Sequence, residues 1–306
     1  MNDKRNCIIC NQTKKTAEFS EEHIIPESLG NKLLKIYVVC KKCNDLMGAK
    51  IDSELVNNEA SQMFRQLNNI SGQKGYVPHP FEHGKTQDGR DVRLDRNFKP
   101  HIVKPDISVS KTGDNQAYIS YSGDNDLDSA IKAMNKKLER SGLPKLTEAH
   151  IAEIREQAQV TSEIPSLNYS WNVNFAKLQL AYMKIAYEYG YYLWGYDYTC
   201  DPVANEIRDR INKCIYNDII PDDLDNYARW DTFDVSHMVD PLLDDNYKDF
   251  EYRHIIVSTG SKCGIIAGII LFPNMHCSVR YCSDDSRFYN FRIFVANYPK
   301  CKLFEM

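Results

Sequence analysis

Hydrophobic residues at helical spacing mark the middle and the second half of the chain. Residues 174–190 carry apolar side chains at every third or fourth position, as a buried helix does. Residues 203–216 repeat this spacing, and residues 126–158 show it in two pieces that are interrupted by a glycine and a proline at residues 141–144. These segments predict the main helices. The acidic stretch at residues 217–250 has no regular spacing and is expected to be irregular.

Shorter segments with alternating or continuous apolar residues predict strands. They are residues 35–39, 107–109, 117–121, 253–257, 263–272, 277–282 and 288–296. Glycine next to aspartate or asparagine at residues 88–89 and 113–115 predicts hairpin turns. Strands and helices are grouped along the chain rather than alternating, which favours an α+β fold over a doubly wound sheet.

Composition is that of a globular protein outside the membrane. With 42% hydrophobic and 26% charged residues, the 306-residue chain has enough apolar material for one large or two ordinary domains. It has no apolar run of membrane-spanning length, and its first residues lack the apolar core of a secretory signal. We therefore expect no membrane association and a cytoplasmic location. There the ten cysteines are reduced, and paired cysteines more often bind metal than form disulfides.

Four of the cysteines form two matched pairs, Cys7-x-x-Cys10 and Cys40-x-x-Cys43. Four thiolates suit a tetrahedral Zn²⁺, and each C-x-x-C turn presents two sulfurs together. The 29 residues between Cys10 and Cys40 exceed what a compact zinc ribbon uses, so we expect an inserted segment there. Four unrelated buried cysteines and a redox C-x-x-C are the alternatives, and two matched copies argue against both.

The residues inside and beside these pairs resemble an HNH endonuclease of the ββα-metal type with a built-in structural zinc site. The resemblance rests on the cysteine pairs together with EHIIP at Glu22–Pro26, LGN at Leu29–Asn31 and Asn44 directly after the last cysteine. It covers about the first 57 residues. The zinc is expected to be structural, because it would hold the loops of a very small core in place.

The resemblance divides the chain into two regions of unequal size. It implies a zinc-clamped ββα-metal unit at residues 1–60. Residues 61–306 are then a larger α+β region, with strands at 71–125, helices at 126–216 and strands at 250–306. Because a nuclease of this type needs far fewer residues, we expect this region to be a sensor or a DNA- or partner-binding part that licenses the nuclease. A homodimer through this region is a further candidate.

The same resemblance implies catalytic roles for three residues. His23 is the general base that activates water, and Glu22 and Asn44 hold one divalent cation, expected to be Mg²⁺. An imidazole titrates near neutral pH, and carboxylate and amide oxygens are the hard ligands that Mg²⁺ prefers. The family often has Asn where this chain has Lys35, so Asn31 is a candidate substitute. His23 as a zinc ligand is disfavoured, because four cysteines already complete the tetrahedron.

Together these features predict a metal-dependent endonuclease with double-stranded DNA as its expected substrate. Residues 1–50 have nine Lys/Arg and six Asp/Glu, although the whole chain has a net charge of −4, so a phosphate-binding surface is expected at the N-terminus. The candidate phosphate contacts are Lys32, Lys35, Lys41 and Lys42. The alternative is a zinc-stabilised nucleic-acid-binding module without catalysis. The resemblance also links proteins of this layout to bacterial restriction or antiphage defence.

Three further features have simpler structural explanations. His79 and His83 are four residues apart, but the prolines and glycine around them favour a surface loop over a helix-borne metal site. The aromatic run at residues 187–196 is of a kind that stacks on bases, but it continues a buried helix and is expected to pack in the core. His254 opens a hydrophobic strand and is expected to pack rather than react.

Overall fold

The structure is a computed structural model of the chain, and it divides the chain into two compact units. It describes residues 3–72, 74–113, 116–123, 126–157, 166–169, 172–230, 253–272, 275–283, 285–288, 292–297 and 301–305. One unit combines Met1–Pro78 with Asn172–Met306, and the other is His79–Trp171. The mixed helix and strand content confirms the predicted α+β class. The boundary predicted near residue 60 lies inside the first unit rather than between units.

The N-terminal segment contains two short antiparallel hairpins followed by helices. Its elements are β1 (Lys4–Asn6), β2 (Thr13–Lys15), β3 (Phe19–His23), β4 (Lys35–Cys40), α1 (Lys41–Met47), a π-helical turn (Gly48–Asp52), α2 (Ser53–Asn57) and α3 (Glu59–Leu67). β1 pairs with β2, and β3 pairs with β4. The predicted strand at residues 35–39 and the helix that begins at Lys41 are confirmed. Asn58 ends α2 and caps α3, because its side chain accepts the N–H of Ser61.

The middle of the chain, His79–Trp171, forms the second unit. Its elements are β5 (His83–Thr86), β6 (Asp91–Leu94), β7 (Pro100–Ile102), β8 (Asp106–Gly113), β9 (Gln116–Ser122), α4 (Leu127–Arg140), α5 (Glu148–Gln157) and β10 (Leu167–Asn168). A four-stranded sheet has the order β10-β5-β6-β7, and β8 pairs with β9 in a separate hairpin. The pairing of β5 with β6 confirms the hairpin predicted at residues 88–89. β8 pairs with β9 on either side of the second predicted turn, of which residues 114–115 lie outside the described residues. Apolar residues of the β8–β9 hairpin pack on α4 and form a small core of their own.

The C-terminal segment packs two long helices against a sheet. Its elements are α6 (Phe175–Trp194), α7 (Pro202–Asn217), β11 (Ala228–Trp230), β12 (Arg253–Ser261), β13 (Gly264–Phe272), β14 (Met275–Cys282), α8 (Asp285–Phe288), β15 (Arg292–Asn297) and β16 (Cys301–Glu305). The six strands have the order β11-β14-β13-β12-β15-β16, and all pairs are antiparallel. Residues 231–252, most of the stretch predicted to be irregular, lie outside the described residues.

Helix α6 is the central element of the first unit. It is buried around its whole circumference over most of its length, which explains its nearly continuous apolar sequence. One hydrophobic core joins α6 to the N-terminal segment on one side and to the C-terminal sheet on the other, as Ile24, Leu55, Tyr187 and Ile269 illustrate. The N-terminal segment therefore shares its core with residues 172–306. This shared core is the physical reason why the chain does not divide at residue 60.

The aromatic run at residues 187–196 begins in the last turns of α6, and part of it packs inside the molecule. Tyr187, Tyr189 and Tyr198 are buried, and Trp194 stacks on Tyr281 with ring centroids 5.6 Å apart. Gly190 permits this packing, because a Cβ at that position would lie 2.4 Å from the Tyr198 ring. The predicted core role of the run is confirmed for Tyr187 and Tyr189, whereas Tyr192 and Tyr196 of the same run are exposed. Among the described residues, none of the helices is long and apolar enough to cross a membrane.

Candidate metal centre and active site

The four paired cysteines converge at one point. Their sulfur atoms all lie within 4.8 Å of one another, and the sulfurs of Cys10 and Cys40 are 4.0 Å apart. A tetrahedral Zn²⁺ with bonds of about 2.3 Å holds its sulfurs about 3.8 Å apart, so the four sulfurs are close enough together to bind one zinc ion. Cys7 and Cys10 lie on the turn between β1 and β2, Cys40 ends β4, and Cys43 lies in the first turn of α1. The predicted cysteine cluster is therefore confirmed as a site compatible with zinc.

Two polar side chains contact the cysteine sulfurs from outside the cluster. The Nζ atom of Lys14 lies 3.2 Å from the sulfur of Cys40, and this contact raises the pKa of Lys14. The hydroxyl of Tyr216, on α7, lies 3.1 Å from the sulfur of Cys43. A cation and a hydroxyl offset part of the negative charge that four thiolates would bring to the metal. Tyr216 is 173 residues away from Cys43 along the chain, so no local sequence pattern indicated it.

Strand β3 presents adjacent residues to opposite sides, as a strand must. Glu21 and His23 share one side, and the Nε2 atom of His23 lies 3.4 Å from Oε1 of Glu21. The other carboxylate oxygen of Glu21 accepts hydrogen bonds from the Nζ of Lys35 at 2.7 Å and from the hydroxyl of Tyr37 at 2.6 Å. Lys35 lies directly opposite His23 in the β3–β4 pairing. This side of the hairpin therefore combines a histidine, an exposed carboxylate, a lysine and a phenol.

His23 is partly buried, and its environment favours the neutral imidazole. Burial is the largest influence and lowers the pKa of His23, while Glu21 and Glu27 oppose this shift. The positive charges of Lys35 and Lys184 lower the pKa of His23 further. A neutral imidazole can accept a proton, which is what a general base must do.

Asn44 is held against the same strand. Its side-chain nitrogen donates to the carbonyl oxygen of Glu21 at 2.8 Å and to the hydroxyl of Ser20 at 3.1 Å. Both hydrogen bonds use the amide nitrogen, so the amide oxygen is the atom oriented away from them. His23 and Asn44 are 21 positions apart in the sequence. The packing of α1 on β3 places Asn44 against the strand that carries His23.

Glu22 has a different environment from the one that the sequence implied. Only 4% of it is exposed, and its carboxylate lies 2.5 Å from the Nζ of Lys184, a fully buried residue of α6. A divalent cation at Glu22 would have to displace this ammonium group. The predicted pair of cation ligands, Glu22 and Asn44, stays a prediction, and the burial of Glu22 against an ammonium group that is itself fully buried argues against it. The exposed carboxylate beside His23 belongs to Glu21 instead.

Asn31 fixes the loop between β3 and β4. It is fully buried, and its side-chain oxygen accepts the N–H groups of Leu33 and Leu34 at 3.2 and 3.3 Å. Its side-chain nitrogen donates to the carbonyl of Ile25 at 3.4 Å. The preceding Gly30 has a φ of 95°, a conformation that glycine adopts without strain. Asn31 thus holds this loop in its conformation, while Lys35, at the position where the family often has Asn, pairs with Glu21.

A buried histidine joins the same loop to the sheet. One ring nitrogen of His254 lies 2.8 Å from the carbonyl oxygen of Leu29, and the other lies 2.6 Å from that of Leu271. The predicted packing role of His254 is confirmed by its burial. His79 contacts the carbonyl of Asp95 at 2.7 Å, whereas His83 begins β5 with an exposed side chain.

The four lysines predicted to contact phosphate do not share one environment. Lys32 and Lys41 are exposed, and Lys42 is exposed with its Nζ 5.5 Å from the centre of the Tyr216 ring. Lys35 is engaged by Glu21, beside His23. Of the four, Lys35 is therefore the one that the structure ties to the side of β3 that carries the histidine.

Residues 7–59 match a family model described as HNH endonuclease. The N-terminal segment is an HNH domain. The match begins at the first zinc-site cysteine and ends just after α2, so the HNH domain contains both cysteine pairs, His23 and Asn44. Neither a search of curated proteins nor a search of solved structures finds a match. The HNH domain covers a minor part of the 306-residue chain.

Proposed function

We propose that this protein is a metal-dependent endonuclease that hydrolyses phosphodiester bonds of DNA. One observation carries the proposal: within an HNH domain, a neutral histidine and an accessible carboxylate share one side of β3, at 3.4 Å, and Asn44 is bonded to the same strand. The cysteine cluster supports it, since a structural zinc would hold this small site rigid.

In the proposed reaction, His23 takes a proton from the attacking water. Its lowered pKa keeps the imidazole neutral at neutral pH, and the carboxylate of Glu21 orients the ring. Removal of this proton is general base catalysis, which contributes about 10²- to 10⁴-fold to a rate. A bound Mg²⁺ supplies the positive charge that a phosphodiester needs as its leaving oxygen becomes negative.

We assign the cation to Glu21 and Asn44 rather than to Glu22 and Asn44. Glu21 offers a hard carboxylate oxygen that solvent reaches, and the amide oxygen of Asn44 is the second hard ligand. The burial of Glu22 and its ion pair with Lys184 argue against this role for Glu22. Lys35, which neutralises Glu21, is then available to contact a phosphate of the substrate when the cation binds.

Lys32, Lys41 and Lys42 extend the proposed contact surface to neighbouring phosphates. They are exposed cations on the HNH domain, and contacts of this kind fix the position of a duplex without reading its sequence. Double-stranded DNA is the proposed substrate on this basis and by the family resemblance. Four further proposals rest on the resemblance and on the size of the chain. They are a role in restriction or antiphage defence, a cytoplasmic location, a homodimer, and a sensor role for residues 61–306.

A nucleic-acid-binding module without turnover is the second candidate. The hydrogen bonds of Lys35 and Tyr37 to Glu21 favour it, because they occupy the carboxylate that a cation would need. The two candidates give different results in one assay. The full-length protein is incubated with plasmid, linear duplex, single-stranded DNA and RNA, with Mg²⁺, with Mn²⁺ and with EDTA.

The nuclease proposal predicts that duplex DNA is cut with a divalent cation and left intact in EDTA. Salt-sensitive binding without cleavage, in every cation, would instead support the binding module. Neither binding nor cleavage of any of the four substrates would contradict both candidates.

A further inference from the structure

Beneath the side of β3 that carries His23 lies a buried cluster of four charged residues. Lys184 of α6 is fully buried, and its Nζ lies 2.5 Å from Glu22 and 3.0 Å from Asp52. It lies 3.4 Å from Glu188, one turn further along α6. Three carboxylates therefore surround one ammonium group in the protein interior, where charged side chains are rare.

Lys184 connects two elements of the HNH domain, β3 and the π-helical turn after α1, to α6. Its ion pair with Glu22 holds β3, and its hydrogen bond to Asp52 holds the π-helical turn that continues α1. The same Nζ donates to the backbone carbonyl of His23 at 3.3 Å. One atom of α6 thus contacts the residue before His23, the backbone of His23 itself and the helix that carries Asn44.

The three neighbouring carboxylates keep the ammonium group of Lys184 protonated. Burial lowers the pKa of Lys184, but Asp52, Glu188 and Glu22 outweigh it and raise that pKa well above its usual range. Burial raises the pKa of Glu188 and of Glu22, so the excess negative charge of the three carboxylates is reduced when a carboxyl group takes up a proton, and the ammonium of Lys184 stays charged. The carboxylate of Glu188 lies farther from the Nζ of Lys184 than those of Glu22 and Asp52, so Glu22 and Asp52 are the stronger partners.

We propose that Lys184 is a positioning residue of the nuclease: through Glu22 and the carbonyl of His23 it sets the location of the catalytic imidazole. This inference rests on the proposed function, and it goes beyond it by making α6 a part of the active site. The HNH domain is then not an independent module attached to a larger region. Its catalytic strand is held by a charge that the sequence supplies more than a hundred residues later.

The test compares Lys184→Met with Glu188→Gln in the full-length protein. Both changes alter the same ion cluster on the same helix, but the ion pairs and the hydrogen bond to Glu22, Asp52 and the carbonyl of His23 are made by Lys184. Displacing a catalytic group by about 1 Å can cost about 100-fold in rate, so we expect Lys184→Met to lower kcat by about that factor with little change in KM for duplex DNA. Glu188→Gln should stay within about threefold of the parent kcat, because it leaves the contacts to Glu22 and His23 in place.

Two more measurements separate positioning from folding and from the proposed function. Zinc content and circular dichroism report whether Lys184→Met folds; if it does not, Lys184→Gln, which keeps a donor, and Lys184→Arg, which keeps the charge, take its place. The imidazole NMR signals of His23, assigned with His23→Ala in protein carrying isotope-labelled histidine, report its position without any turnover. We expect these signals to move in the Lys184 variants and to stay in place in Glu188→Gln.

The outcomes are distinct. A folded Lys184→Met protein with normal kcat and an unmoved His23 signal would overturn the positioning role while leaving the nuclease proposal intact. If the parent protein cuts no nucleic acid, the nuclease proposal fails, and the NMR comparison still decides whether Lys184 sets the position of His23. Partial recovery of kcat in Lys184→Arg would support the role, since a purely hydrophobic contact would not be restored by a charge.

Discussion

At the scale of single residues, two adjacent glutamates have opposite environments. Glu21 is accessible and lies beside His23, whereas Glu22 is buried against Lys184. The sequence motif Glu-His identified His23 and its strand, but it could not show which of the two acids faces a substrate. The alternation of side chains along a strand places Glu21 on the same side as His23. Lys184, which pairs with Glu22, lies on a distant helix, and no sequence pattern near Glu22 indicates that contact.

Paired substitutions of these glutamates test the assignment of the cation. We expect Glu21→Gln to raise the Mg²⁺ concentration for half-maximal cleavage at least about tenfold, because it removes a proposed ligand. Glu22→Gln should lower the rate but leave that Mg²⁺ concentration unchanged, because it weakens only the contact with Lys184. Cleavage measured over a Mg²⁺ titration distinguishes them. The reverse pattern would show that Glu22 rather than Glu21 binds the cation, as the family resemblance implied.

Asn31 is the second residue whose role the structure clarifies. Replacing it with Ala leaves the N–H groups of Leu33 and Leu34 without their acceptor, and a buried polar group without a partner costs about 1–3 kcal/mol. We expect the free energy of unfolding to fall by that amount in urea denaturation. Lys32→Ala, an exposed change in the same loop, is the control and should stay within about 0.5 kcal/mol. Equal stability of the two variants would contradict the role of Asn31.

At the scale of elements, the sequence predicted more of the fold than of the site. Helix α6 and the strands β4, β8, β9 and β13 follow from the spacing of their apolar residues. In β8 and β9 these residues are half-buried and alternate with exposed ones. The convergence of the four cysteines was predictable from the sequence, because two C-x-x-C turns suit one tetrahedral ion. Contacts made across long distances in the sequence, such as those of Tyr216 and Lys184, could not be predicted because spacing along a chain carries no information about them.

Helix α7 is expected to contribute to metal retention through Tyr216. Removing its hydroxyl in Tyr216→Phe should weaken zinc binding about 10- to 100-fold, as loss of a group that supports a metal ligand usually does. The measurement is the rate of zinc release to a chelator from protein first shown to contain one zinc per chain. Tyr192→Phe is the matched control, because Tyr192 stacks on Tyr189 instead. Equal release from both variants would show that Tyr216 does not support the metal centre.

At the scale of the whole molecule, the position of the core decides the organisation. Core residues of the HNH domain, of α6 and of the C-terminal sheet form one continuous cluster. The sequence suggested a boundary near residue 60 because the cysteine motifs end there, but motifs report chemistry rather than the extent of a core. The compact unit that does separate is His79–Trp171, which interrupts the first unit in the sequence.

This organisation predicts the outcome of two truncations. Replacing residues 79–171 with a flexible Gly/Ser linker of about 15 residues should leave a protein that folds cooperatively and binds zinc, because the first unit keeps its core. A fragment of residues 1–60 should not fold, since it lacks α6. Thermal unfolding and zinc content measure both. A stable, zinc-bound 1–60 fragment would contradict the shared core.

The central claim is that His23 is the base of a metal-dependent nuclease, and single-turnover cleavage of duplex DNA tests it most directly. Parent and His23→Ala proteins, each containing one zinc and matched in circular dichroism, are compared at saturating Mg²⁺. We expect His23→Ala to be slower by at least about 100-fold, the contribution of a general base. A folded His23→Ala protein that cuts as fast as the parent would contradict the claim.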